Sequence, residues 1–184
     1  MNPSELIGKF QSKLPAVRQW IDEVLEEHED RAVPVINLPL LRLRTVFPLD
    51  LLAKAKVVVV AGMVPFPSLS KMGLPEFTEI ERSPMAGITY KDTFFLNHFH
   101  RTESLHFHEL VHVVQWDRLG VDDFLLAYGV GLMQFGYIKS PLEKMAYSLQ
   151  SAFDSGELPS DIVKVVHQQT DGVWRSVAPL ISRA

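Results

Sequence analysis

The chain has no cysteine. That excludes a disulfide framework, a thiol nucleophile, every thiolate-ligated zinc site and iron–sulfur clusters held by Cys. Long hydrophobic runs are lacking as well. Residues 57–64 and 124–138 are both shorter than the about 20 apolar residues a spanning helix needs. The second also carries Gln134 and three glycines, so both read as core. There is no basic block: 18 Lys plus Arg stand against 22 Asp plus Glu, a net charge of −4. Phosphate binding needs a concentrated basic face, so nucleic acid is a poor partner. The opening residues Met1-Asn2-Pro3-Ser4-Glu5 lack the basic and long apolar regions of a signal peptide. The expectation is a soluble, cytoplasmic protein with neither membrane nor nucleic acid as partner. Nothing in the sequence speaks to its oligomeric state.

What is present fits an ordinary globular chain. Its 184 residues are 47% apolar and 22% charged, which suits one domain spanning 1–184 and large enough to bury its own core. Residues 4–29 carry Leu6, Phe10, Leu14, Val17, Trp20, Ile21, Val24 and Leu25 at helical spacing, predicting an amphipathic helical segment over about 1–30. Pro15 falls inside that pattern and predicts a break or kink. Residues 32–86 hold seven of the twelve prolines and read as irregular. Within them, Pro48 precedes a short helix over 49–56, 56–64 is a buried strand, and 65–84 is a long surface loop. Segments 86–90 and 93–98 flank Lys91-Asp92 as a hairpin. A helix is predicted from about 103 to 119, with Thr102 as N-cap and Gly120 as its stop. Further helices are expected over 121–132, from Ser140-Pro141 to about 153, and over 160–177. Strands first and helices later predict an α+β fold with a helical C-terminal half.

Five of the seven histidines lie between positions 98 and 112. Among them is His108-Glu109-Leu110-Val111-His112, an H-E-x-x-H motif. Residues four apart share one helix face, so both imidazoles can reach a single zinc ion. Glu109 lies beside them, placed to take a proton from water rather than to bind the metal. Apolar neighbours Leu105, Phe107, Leu110, Val111, Val113 and Val114 mark a helix running through the middle of the protein. Two core histidines with a buried glutamate between them are costly without a metal. A catalytic zinc usually takes three protein ligands and one open position. Gln115 and Arg118 stand where a metzincin has Gly and His, and the lack of cysteine excludes a deformylase-like site. The candidate third ligand is Glu143, on a helix that can return antiparallel to the first. A capping role competes for it, because Ser140, Pro141 and Glu143 also spell a capping box.

His108 and His112 followed by Glu143 and Ala146 (E-x-x-A) resemble the gluzincin group of zinc metallopeptidases. The likeness is nearest to short, uncharacterised bacterial metallopeptidase domains with a motif like H-E-L-V-H-V-V-Q and a later P-L-E-x-x-A-Y, and it covers about residues 86–150. It implies a zincin-like fold: a small mixed or antiparallel sheet beside a central H-E-x-x-H helix. It implies His108, His112 and Glu143 as ligands of Zn2+, Glu109 as general base, and a peptide or protein substrate lying along strand 93–98 as a sheet edge. Tyr137 and Tyr147 are candidates to donate a hydrogen bond to a developing oxyanion. His98 and His100 alternate on a strand and could line a cleft. His106 is about 200° around the helix from His108 and cannot share its face. Asp117, Asp122 and Asp123 are read as solvating a helix end. The expected function is hydrolysis of peptide bonds. The alternative is a catalytically silent zinc-binding domain that recognises a peptide or partner.

Overall fold

The apolar stripe near the N-terminus forms one helix, α1 (Pro3–Glu27), in the computed structural model, which describes residues 3–182. Pro15 lies inside α1 without breaking it. A mid-helix proline costs about 3 kcal/mol. Phe10, Leu14, Val17, Ile21 and Val24 are all buried along one side, and each contributes about 1.5–3 kcal/mol on burial. Packing on both sides of Pro15 therefore outweighs the lost bond.

The irregular region contributes β1 (Val33–Pro34), α2 (Leu41–Val46) and α3 (Leu49–Lys54), the last directly after Pro48. Strand β2 (Lys56–Val60) is shorter than the β-branched run suggested. The segment predicted as a bare loop carries a short helix, α4 (Thr78–Glu81). The hairpin is present as β3 (Gly87–Tyr90) and β4 (Thr93–Asn97), with Lys91 in the left-handed region at its turn (φ 57°).

The sheet order is β1-β2-β4-β3. Strand β4 pairs in parallel with β2, Val58 opposite Phe95, and antiparallel with β3, Ile88 opposite Phe95. The expected edge strand is therefore central, and β3 is the edge on its side of the sheet, with β1 at the other. The physical reason is that Phe94, Phe95 and Leu96 are fully buried. Consecutive large residues covered on both faces belong in the middle of a sheet.

Helix α5 (Glu103–Phe135) crosses behind the sheet against β3. Thr102 caps it as expected, its hydroxyl accepting from the Leu105 amide at 3.2 Å. Gly120 stops the first stretch where expected: at φ 75°, ψ 177° it is non-helical, and α5 consists of two helices joined across this kink. Helices α6 (Pro141–Ser155) and α7 (Ile162–Ile181) pack on α5, and α1 lies against its second half. The result is a mixed α+β fold in which the long helical element α5 packs against α1, α2, β3, β4, α6 and α7. Among the described residues no helix is long and apolar enough to cross a membrane.

Candidate metal centre

The first half of α5 carries the cluster. His108 and His112 are one turn apart and turn their rings to the same side, centroids 4.8 Å apart. Their Nε2 atoms are separated by 3.1 Å. Helix α6 returns beside α5 and brings Glu143 Oε2 to 3.3 Å from His108 Nε2 and 3.4 Å from His112 Nε2. These three residues form a buried group whose ligand atoms could hold one metal ion. Ligand atoms about 2.0–2.1 Å from a tetrahedral zinc stand about 3.3 Å from one another, so the triangle matches zinc in size.

Glu143 is not a cap. Ser140 makes no side-chain capping bond, and its hydroxyl is buried without a partner. The Glu143 carboxylate is divided between two tasks. Oε1 accepts a 2.6 Å hydrogen bond from Tyr128, while Oε2, facing the imidazoles, has no partner of hydrogen-bond geometry. A buried carboxylate oxygen without a donor is expensive, and a cation at the centre of the triangle would satisfy it. The residues present fit the ion.

Electrostatics without metal show how tightly the group is coupled. Burial opposes charge on His112, but the Glu143 carboxylate outweighs it and pushes the ring up to about 9. Burial likewise works against ionised Glu143, yet the two imidazoles hold it far below the usual carboxylate range. Glu109 behaves oppositely: burial dominates and raises its carboxyl, against the pull of His108 and His112.

Glu109 is held from the sheet side. Thr89 on β3 donates to its Oε2 at 2.7 Å, and Oε1 lies where a side chain on Gly87 would begin. Trp116, one turn beyond His112, donates its indole N–H to the Thr89 carbonyl at 3.1 Å. The edge strand and the motif helix are thus joined next to the candidate base.

Each imidazole has a glutamine behind it. His112 Nδ1 lies 2.8 Å from Gln115 Oε1, and His108 Nδ1 lies 3.1 Å from Gln150 Oε1. Tyr147 on α6 lies tilted against the His108 ring, centroids 4.5 Å apart, and is 39% exposed. Tyr137 lies deeper, and burial followed by the Glu143 carboxylate lifts its phenol far above the ordinary value, leaving it a donor. His108, Glu109, His112 and Glu143 are each at most 5% exposed. A narrow apolar cavity of about 70 Å3 reaches Glu109, His112 and Glu143, and Phe10, Val17 and Ile21 of α1 form one of its walls.

The other sequence candidates fall elsewhere. His98 and His100 lie beyond the end of β4 rather than on it, with the His98 ring against exposed Phe99. His106 is buried in the core, edge-on to Phe94, with Nδ1 2.8 Å from the Thr102 carbonyl oxygen. It stays outside the triad, as its position around the helix predicts. Asp117 and Asp122 form exposed ion pairs with Lys54 and Arg18. Sequence reasoning missed Tyr128, Thr89, Gln115 and Gln150. Gln115 was findable, being three residues past His112 on the same helix, and so was Gln150, two turns beyond Glu143. Tyr128 lies past the Gly120 kink, where helical phase no longer carries over.

No family model matches the chain, and neither a curated protein nor a solved structure shows significant similarity to it.

Proposed function

We propose that the chain is a zinc-dependent peptidase of zincin type, hydrolysing peptide bonds with His108, His112 and Glu143 as metal ligands and Glu109 as general base. The observation that supports it most is the zinc-sized triangle of two Nε2 atoms and one unpartnered carboxylate oxygen, with Glu109 beside it on the same helix. When bound, zinc supplies Lewis-acid chemistry: it lowers the pKa of water at the open fourth position toward about 7 and polarises a carbonyl.

The chain's own residues supply the rest. Tyr128 occupies Glu143 Oε1, so the carboxylate offers one oxygen and leaves a coordination position open. Glu109 carries a carboxyl raised by burial, closer to neutrality and suited to accept a proton and pass it to a leaving amine. Thr89 fixes the rotation of that carboxyl. Tyr147, partly exposed beside His108, is the nearer of the two tyrosines to solvent and the better candidate to donate to an oxyanion; Tyr137 stands behind it. An extended peptide would lie along β3, the true sheet edge next to Glu109.

A second reading, a catalytically silent zinc-binding domain that recognises a peptide or partner, draws support from the closure of the site. All four residues are buried, and α1 helps to wall the cavity that reaches them.

The test is metal content followed by cleavage. Protein purified without chelator or tag histidines is expected to hold about one zinc per chain and to cut members of a peptide library. Glu109→Gln is expected to keep the zinc and abolish turnover. A protein that refuses added zinc sinks both readings; one that binds zinc and peptides but never cleaves leaves only the second.

A further inference from the structure

The two glutamines behind the imidazoles are ambiguous taken alone, because an amide can present either its oxygen or its NH2 group. Their far ends remove the ambiguity. Gln115 Nε2 lies 3.1 Å from the Leu142 carbonyl oxygen, which can only accept. The NH2 group must therefore be at that end, and the amide oxygen must face His112 Nδ1 at 2.8 Å. An oxygen can only accept there, so His112 Nδ1 carries the proton.

The same logic runs through a longer chain behind His108. Ser104 donates its hydroxyl proton to Asp154 Oδ2 at 2.9 Å. With that proton committed, the Ser104 oxygen accepts from Gln150 Nε2 at 3.0 Å. Gln150 then presents its oxygen to His108 Nδ1 at 3.1 Å, which must donate. One relay is oriented by a backbone carbonyl of α6, the other by a carboxylate near the end of the same helix.

We infer that Gln115 and Gln150 are positioning residues that lock both histidines in the orientation with the proton on Nδ1, so that each offers Nε2, the ring nitrogen nearest Glu143 Oε2, to an ion. This rests on the zinc reading above and adds to it a pair of residues that set the site before an ion arrives. Groups behind a ligand histidine fix its tautomer and ring orientation, and losing one typically costs about tenfold to a hundredfold in metal affinity. Both partners are neutral amides. They orient the rings without placing a further negative charge beside them, and so leave Glu143 as the single anionic ligand.

The experiment measures zinc affinity by competition with a chromophoric chelator for the parent, Gln150→Leu, Gln150→Glu and Gln115→Leu. Melting of each metal-free variant serves as the control for folding. Gln150→Leu and Gln115→Leu are each expected to weaken zinc binding by about tenfold or more. Gln150→Glu retains an acceptor and is expected to bind at least as tightly as the parent. In the zinc-loaded parent, two downfield, slowly exchanging imidazole N–H resonances are expected by NMR, one lost in each Leu variant. Gln150 is only partly buried, so its variants remain informative if Gln115→Leu does not fold. A parent that binds zinc while Gln150→Leu binds within twofold of it overturns the relay and leaves the metal centre standing. A parent that takes up no zinc overturns both together.

Discussion

Replacing Gly87 with alanine would test whether Glu109 is held as described. A Cβ on Gly87 would stand 2.3 Å from Glu109 Oε1, 2.9 Å from its Cδ and 2.9 Å from Leu96 Cδ2. Leu96 is fully buried in the central strand and has little room to yield. The carboxylate must therefore retreat by about 1 Å to reach ordinary contact near 3.4 Å. That retreat stretches the 2.7 Å bond from Thr89 beyond hydrogen-bond range. Crowding of this kind costs about 1–3 kcal/mol and the lost bond about 1 kcal/mol. Relieving the backbone entropy of a strand glycine returns about 0.5–1 kcal/mol. The net expectation is a loss of about 2 kcal/mol, or about 4–8 °C in melting temperature for a chain of this size. Gly87 is not among the metal-binding group, so zinc affinity should stay within about threefold. Turnover should fall about a hundredfold, the usual penalty for displacing a reacting group by about 1 Å. Calorimetry, chelator competition and a peptide-cleavage assay read the three quantities separately. Gly87→Ala protein with the parent's melting temperature and turnover would refute the placement of Glu109 against the edge strand.

Three further outcomes follow from the geometry. Glu143→Gln should weaken zinc binding beyond the about hundredfold that losing an outer hydrogen-bond partner costs, whereas a capping role would leave metal affinity unchanged; chelator competition decides. In the metal-free protein, His112 is raised to about 9, so its contribution to stability is complete below the ordinary value of 6.5 and is lost as pH rises through about 9. Urea unfolding in chelator should show a decline of roughly 3 kcal/mol between pH 6 and pH 9.5, and a flat profile would remove the His112–Glu143 coupling. Gly129→Ala would put a Cβ 2.4 Å from the Phe10 ring; the helix gains about 1 kcal/mol, but the crowding costs about 1–3 kcal/mol. A small drop in melting temperature is expected, and a rise would mean α1 is free to move off α5.

The site was legible to the extent that it obeys helical phase. His108, Glu109 and His112 lie on one turn of α5, and their apolar neighbours announce a buried helix. Glu143 carried two readings in the sequence, because a glutamate three residues past a serine serves a cap and a ligand equally well. Only the position of α5 relative to α6 separates them. Topology was less visible. Nothing local in residues 93–97 says that β2 will pair with them in parallel, so β4 read as an edge when its neighbours make it central. Pro15 and Gly120 behaved in opposite ways. Tertiary packing carried α1 through the proline, while the glycine interrupted α5 where expected and a second helix follows it directly. That break is also why Tyr128, past the kink, escaped a reading based on spacing along a straight helix.

The return of α6 onto α5 has a consequence for how the folded chain persists. His112 and Glu143 are separated in sequence by a helix half, the Gly120 kink and the turn before Pro141, yet their ligand atoms are 3.4 Å apart. An ion gripping both would act as a clasp, closing a long loop in a polypeptide that has no cysteine with which to do so covalently. Because such an ion favours the native state over the unfolded one, resistance to unfolding would rise with the free metal concentration. Scarcity of the metal would then do more than silence the centre. It would loosen α6, expose the core beneath it to degradation, and tie the lifetime of the protein to the supply of its ion.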